Sequence, residues 1–167
     1  IILPQQVDEK CCGMPFKSKG FEATAIQKAQ QLEAALWQAS EQGKYPILMD
    51  TSPCAKASIE IMSASLNIFE PFRFVAEHVM PHLTITPQSE PIMLHITCSS
   101  RQLGLATVIE SVSRACSNNV IIPEDMLCCG FAGDKGFTLP ALNASALQLL
   151  KQQVPDNCTE GYSNSRT

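Results

Sequence analysis

The chain alternates between short unbroken apolar runs and longer stretches in which apolar residues recur every three or four positions. Runs of the first kind predict buried strands; stretches of the second kind predict amphipathic helices. Ile1-Ile2-Leu3-Pro4 is the first run and predicts a short strand. From Glu22 to Gln42, Ala25, Ile26, Ala29, Leu32, Leu36 and Ala39 keep helical spacing, and Gly43 marks the stop. Pro46-Ile47-Leu48-Met49-Asp50 predicts a compact strand. Thr51-Ser52-Pro53 then supplies an N-cap and a proline for the first helical turn. Ile59, Met62, Leu66 and Phe69 carry that helix onward. Another helix is predicted from Pro71 to Leu83, with Phe72, Val75, Ala76 and Val79 inward.

Thr84 to Pro91 has no period and two prolines, so it is a connection. Ile92 to Thr97 predicts a strand, and Leu103, Ala106, Ile109 and Val112 a helix that fades at Ser117-Asn118-Asn119. Val120-Ile121-Ile122-Pro123 is the last apolar run. Leu142, Ala146, Leu149 and Leu150 mark a final helix, and the chain ends in the polar stretch Gly161 to Thr167. Short, non-alternating strands interleaved with helices predict an α/β fold with a parallel sheet covered on both faces.

With 45% hydrophobic and 17% charged residues the bulk of the chain folds. A net charge of -4 argues against a nucleic-acid surface. No run is long enough to span a membrane. The chain begins at Ile1 and reads as a processed product or an excised piece.

Cysteine changes the picture most, with 8 in 167 residues. A disulfide framework suits a smaller, less apolar chain, and two of the cysteine positions are vicinal pairs, Cys11-Cys12 and Cys128-Cys129. A reducing compartment with thiolate chemistry is the better reading. Each pair is followed by a glycine (Gly13, Gly130), preceded by an apolar run ending in proline (Pro4, Pro123), and followed by Lys-Gly-Phe (Lys19 to Phe21, Lys135 to Phe137). This predicts a duplication: two related units, 1–88 and 89–167. The first lacks its amino-terminal part and the second its carboxyl end, so that a cysteine is expected just past Thr167.

Cys54 and Cys98 each follow a predicted strand and begin a helix, and each pair sits between strand and helix. All six therefore belong at the carboxyl edge of a parallel sheet, where open α/β folds place their sites. Cys11, Cys12 and Cys54 form one expected group, and Cys98, Cys128 and Cys129 the other. Clustered thiolates suit an iron–sulfur cluster or zinc. Vicinal cysteines diverge, which favours several metals over one. Gly13 and Gly130 would let the backbone approach the cluster. Cys116 and Cys158 are read as bystanders. His78 and His82 share a predicted helix face but read as packing or surface residues; His95, beside Cys98, could hydrogen-bond a thiolate or be structural. The glycine-rich loop from Gly130 to Gly136 lacks the order of a dinucleotide fingerprint.

The duplicated Cys-Cys-Gly with a distal cysteine resembles the cysteine-rich CCG domain of heterodisulfide reductase and glycolate-oxidase iron–sulfur subunits. Cys11 to Phe16, Asp50 to Cys54, His95 to Ser100, Cys128 to Asp134 and Gly161 to Thr167 together resemble the C-terminal part of FAD- and iron–sulfur-dependent D-lactate dehydrogenases. That resemblance implies an electron-transfer domain of an FAD-dependent 2-hydroxy-acid dehydrogenase. It implies iron–sulfur (4Fe–4S) chemistry in the intact protein, with Cys11, Cys12 and Cys54 as metal ligands in one unit and Cys98, Cys128 and Cys129 in the other, each three of an expected four. It also implies FAD on an upstream domain, a ferredoxin-like neighbour, and a quinone or cytochrome as acceptor. Thr51 and Ser165 stand where the wider family has a further cysteine, which makes an ordinary 4Fe–4S cluster or a degenerate site comparable to the noncubane one. The piece alone is expected to lack intact clusters and lactate activity. The placement is cytoplasmic, or peripheral at the inner face of the membrane. A structural zinc module that docks partner domains, and a thiol-redox protein, are the alternatives.

Overall fold

A computed structural model describes residues 1–63, 65–124, 128–131 and 133–165. Ala132, Arg166 and Thr167, which belong to the second loop and the tail motif, lie outside the described residues. The chain packs as two compact units, Ile1–Pro71 and Phe72–Thr167. Both are α/β, with short parallel strands in two small sheets.

In the first unit a short helix α1 (Met14–Lys17) precedes the long α2 (Glu22–Ala39). Ala25, Ala29, Leu32 and Leu36 are buried along one stripe of α2, as their spacing requires. Ile26, predicted inward, lies exposed beside that stripe. The chain then turns through Glu41, Gln42 and Gly43, all at positive φ, and the Gly43 N–H donates to Ser40 Oγ at 3.0 Å. Strand β1 (Ile47–Leu48) leads into α3 (Ser52–Ile61), whose first turn carries Pro53. The predicted continuation of this helix to Phe69 does not form. Met62 is extended, and Ile68–Phe69 is strand β2, parallel to β1 in the register Ile47 to Ile68 and Leu48 to Phe69. Met62, Leu66 and Phe69 keep helical spacing, but burial of both Ile68 and Phe69 beside β1 outweighs it. The strand predicted over Ile1 to Pro4 is also absent. Those residues are coil, with Ile1, Ile2 and Leu3 exposed and Pro4 half-buried, and no described strand lies beside them to take up their backbone groups.

The second unit begins within α4 (Pro71–Phe74), which widens to a π-turn over Val75–Val79 and tightens to a 3-10 turn over Met80–His82. Pro81 has no N–H and crowds the preceding turn, so the single helix predicted here changes pitch. His78 and His82 therefore fall in different turns. Strand β3 (Ile92–His95) is central: β4 (Val120–Ile121) pairs with it on one side and β5 (Glu160–Ser163) on the other, all parallel. Ile92 and Leu94 face a core with Ile96, Leu105, Ile109 and Val120. The predicted helix around Leu103 is split at Gly104, φ 73°, into α5 (Cys98–Gln102) and α6 (Ala106–Cys116). A short helix α7 (Lys135–Thr138) precedes the last predicted helix, which is itself two short ones, α8 (Pro140–Ala146) and α9 (Leu150–Gln153).

Strand β5 was not predicted. Glu160-Gly161-Tyr162-Ser163 is exposed throughout. An edge strand of this kind is held by its backbone ladder and needs no apolar pattern. Among the described residues no helix is long and apolar enough to cross a membrane.

Candidate functional site

The two Cys-Cys-Gly loops are built alike. The Gly13 N–H donates to Cys11 Sγ at 3.4 Å, and the Gly130 N–H donates to Cys128 Sγ at 3.3 Å. Both glycines have positive φ, 85° and 77°. Both lie against a following helix at the same sequence distance. A Cβ on Gly13 would sit 2.2 Å from the Ala25 carbonyl oxygen, and one on Gly130 would sit 2.5 Å from that of Leu142. No side chain fits in either place, so glycine is required twice over, by conformation and by space. The result is a tight turn that folds an N–H back onto the first sulfur of each pair. Lys-Gly-Phe does not share this equivalence. Gly20 is in the turn between α1 and α2, whereas Gly136 is buried inside α7.

In the first unit the fold brings together three thiols. Cys12 belongs to the buried core with Ala29, Leu32 and Ile47, and Cys54, in the first turn of α3 at the carboxyl end of β1, packs against the same core. The Cys54 thiol hydrogen-bonds to Cys12 and is the largest influence lowering the Cys12 pKa from 9.0 to about 6. Burial opposes this, and the Met14 and Cys12 backbone N–H groups and Cys11 assist it. Cys54 moves the other way. Its hydrogen bond to Cys12 is the largest cause, followed by burial and the negative charges of Cys12, Cys11 and Asp50. The pair thus keeps one proton between two sulfurs, with the negative charge on Cys12. The sequence placed Cys11-Cys12 after a strand; here the pair follows a 3-10 turn, Val7–Glu9, and joins Cys54 through packing.

In the second unit Cys98 is exposed at the first position of α5, where Thr97 Oγ1 accepts the Ser100 N–H at 3.2 Å. The unpredicted β5 secures this corner. Asn164 Nδ2 donates to Ser100 Oγ at 2.6 Å, and Ser163 Oγ lies 3.1 Å from His95 Nδ1. Asn143 Nδ2, on α8, donates to the Cys129 carbonyl at 2.9 Å and steadies the second loop. Among the described residues no hydrogen bond, disulfide or charge interaction joins Cys98 to Cys128 or Cys129. Cys116 ends α6, and Cys158 Sγ approaches the Pro91 and Glu160 carbonyls before β5. Both stand at the amino edge of this sheet.

All the cysteines are free thiols. Among the described residues no three His, Cys, Asp or Glu side chains converge to hold a single metal ion. A cluster gives each thiolate its own iron and asks only for thiols around a rim. In the first unit the donor set fits such a group in kind: three thiols, one already poised as thiolate, beside a glycine that no side chain could replace. In the second unit a buried imidazole nitrogen, His95 Nε2, has no hydrogen-bond partner among the described residues. Burial, then the charge of Arg101, lower the pKa of that ring and keep it neutral. A cleft of about 500 Å³ between the 75–82 turns and α6 is lined by Ala76, Met80, Thr107, Val108 and Ser111, and no cysteine lines it.

The family model of the cysteine-rich CCG domain matches residues 92–159, which hold Cys98, Cys128 and Cys129. The chain thus carries a CCG cysteine-rich region, consistent with a metal- or thiol-binding module. No curated protein and no solved structure matches the chain.

Proposed function

We propose that this chain is the iron–sulfur electron-transfer domain of an FAD-dependent 2-hydroxy-acid dehydrogenase of the D-lactate type, with the flavin on another domain. The observation that carries the reading is the packing of Cys12 and Cys54 on one core, with Cys11 close enough to act on both, beside a glycine turn that recurs at Cys128-Cys129-Gly130. The donors would be Cys11, Cys12 and Cys54 in the first unit and Cys98, Cys128 and Cys129 in the second. A bound iron–sulfur centre supplies one-electron transfer; substrate oxidation belongs to the flavin. The chain's own contributions are local. The Cys54 thiol and backbone N–H groups hold Cys12 as thiolate, the form that binds metal. The Gly13 and Gly130 N–H groups donate to Cys11 and Cys128 Sγ and so hold each sulfur in place within its turn. Burial of Cys12 keeps water from one side of the group. Upstream flavin and ferredoxin-like domains would deliver electrons, and a quinone or cytochrome would take them.

The test is iron and acid-labile sulfide analysis of protein purified without oxygen. Iron and sulfide in matching amounts, lost together in Cys12→Ser and Cys54→Ser, are expected. Zinc without sulfide would replace this reading with a structural zinc module.

A second reading rests on the Cys12–Cys54 hydrogen bond itself. The metal-free pair could act as a redox dithiol. Cys12 thiolate attacks a small-molecule disulfide, one thiolate leaves, and Cys54 then displaces the second. Two electrons pass to the reagent, and the Cys54 proton is released with its products. Treatment of metal-free protein with oxidised glutathione would then close a Cys12–Cys54 disulfide, mapped by peptide mass. A disulfide confined to other cysteines would exclude this reading.

A further inference from the structure

We infer that the second unit holds a docking seat, made of the outer edge of β5 and the exposed leucines Leu142 and Leu149. Its occupant is a helix-then-strand segment of the α3–β2 type, carried onward from β5 by the same polypeptide. This goes beyond the electron-transfer reading and needs no metal.

The two Cys-Cys-Gly turns fix the correspondence between the units. Gly13 lies against Ala25 and Gly130 against Leu142, at the same sequence distance. From that anchor, Ala25, Ala29 and Leu32 of α2 correspond to Leu142, Ala146 and Leu149. The first three are buried, Leu32 to 6% exposure. Their counterparts are not. Leu149 is 42% exposed, Leu142 is exposed too, and Ala146 is half-buried. Neither α8 nor α9 buries any residue. One stripe is thus covered in one unit and left in water in the other, and an apolar face of this kind is built to be covered.

The first unit shows what the cover is. Ala29 and Leu32 share a core with Ala57 of α3, with Met62 and Leu66, and with Ile68 of β2. Helix α3 buries small residues, Ser52, Ala55, Ala57 and Ser58, so it can lie close. Ile68 and Phe69 are both buried and pair in parallel with β1. The whole cover is the stretch that directly follows β1, and consecutive elements are usually neighbours. In the second unit the strand after the helix is β5. It pairs with β3, and no described strand lies along its other edge. Such an edge is a template for a further strand. Handedness selects that edge. Helices α8 and α9 belong to the crossover from β4 past β3 to β5, so a right-handed connection fixes the face they occupy. Helix α3 packs beside α2. A helix placed likewise beside α8 shares that face, and a second right-handed crossover then carries its strand outward past β5, away from β3. The exposed leucines and the open edge are two parts of one seat.

The test compares two reduced proteins, one ending at Thr167 and one that is the full product of the same gene. The added stretch is expected to read as a helix with small residues every three or four positions, then a short apolar strand, over a span like Met49–Phe69. Amides of β5, α8 and α9 exchange at least about tenfold more slowly in the longer protein, which also binds less of the apolar dye ANS. Leu149→Asp leaves the thermal midpoint of the shorter protein in place and lowers that of the longer one; the exchange comparison needs no variant. A gene that stops at Thr167, a following stretch without that helix and strand, or equal exchange in the two proteins overturns the proposal. Protection that appears in the shorter protein only as its concentration rises makes a second copy the occupant and also overturns it. Iron and sulfide content moves none of these outcomes, so the electron-transfer reading can fail while the seat stands.

Discussion

At the scale of single residues, the Cys12–Cys54 pair is the most directly testable feature. Cys12 is held near a pKa of about 6 chiefly by the Cys54 hydrogen bond. Removing that donor in Cys54→Ala leaves burial as the largest remaining influence, opposed only by the Met14 and Cys12 backbone N–H groups and Cys11. The Cys12 midpoint then rises back toward the ordinary thiol value of 9.0. Thiolate ultraviolet absorbance of metal-free protein, titrated from acid to alkaline pH, checks this; an unmoved acid-side midpoint would refute it. The linkage has a definite sign. Cys12 has a lowered folded pKa, so its contribution to stability is full above the ordinary thiol range and is lost as pH falls toward about 6. Cys54 has a raised one, so its contribution is full below the ordinary range and is lost as pH rises beyond it. The glycines give a second residue-scale outcome. Gly13→Ala combines a left-handed backbone with a 2.2 Å approach to the Ala25 carbonyl, and a cost of roughly 2–4 kcal/mol is expected. Gly20→Ala has the same backbone but open space around it, so about 1–2 kcal/mol is expected. Urea midpoints of the two variants separate sterics from conformation; equal losses would show that the close approach does not matter.

At the scale of elements, packing and pairing decided what periodicity could not. Helix α2 was legible because its buried stripe repeats over many turns. The α3–β2 region was misread because Ile59, Met62, Leu66 and Phe69 fit a helical period by coincidence, and a two-residue parallel strand has no period to show. Strand β5 was invisible because its side chains are exposed and polar while its backbone pairs with β3. The same logic sets an expectation for α6. Ile109 is 1% exposed in the core beneath β3, so Ile109→Ala should cost about 2–4 kcal/mol. Ile59 on α3 is exposed, and Ile59→Ala should fall within about 1 kcal/mol of neutral. Thermal unfolding of both variants measures the contrast, and a comparable loss at Ile59 would contradict the assigned faces.

At the scale of the whole molecule, the described residues form two hydrophobic cores with no residue in common. Each core includes strand residues of its own sheet, and only the first includes a cysteine, Cys12. Overpacking one should loosen that unit first. In Ala29→Leu, a substitution at a position with 0% exposure, the added atoms force a shift costing about 1–3 kcal/mol. Hydrogen exchange should then speed up at amides within Ile1–Pro71, while the slowest amides of β3 and α6 keep their protection. Uniform acceleration across the chain would show a single cooperative unit instead.

The sequence alone determined the α/β class, the long helix α2, the strands at Ile47, Ile92 and Val120, and the duplication of the Cys-Cys-Gly turn. These depend on local information: apolar spacing, capping residues, and glycines that the backbone demands. The tertiary structure decided how the expected thiols meet. Cys12 and Cys54 are distant in sequence and share a proton only because α3 and the first loop pack on one core. It also decided that the polar segment at Glu160 becomes a strand, and that Ser163 thereby fixes His95. Contacts of that kind arise from backbone pairing and burial between remote segments, and neither leaves a periodic trace in the residues that make them.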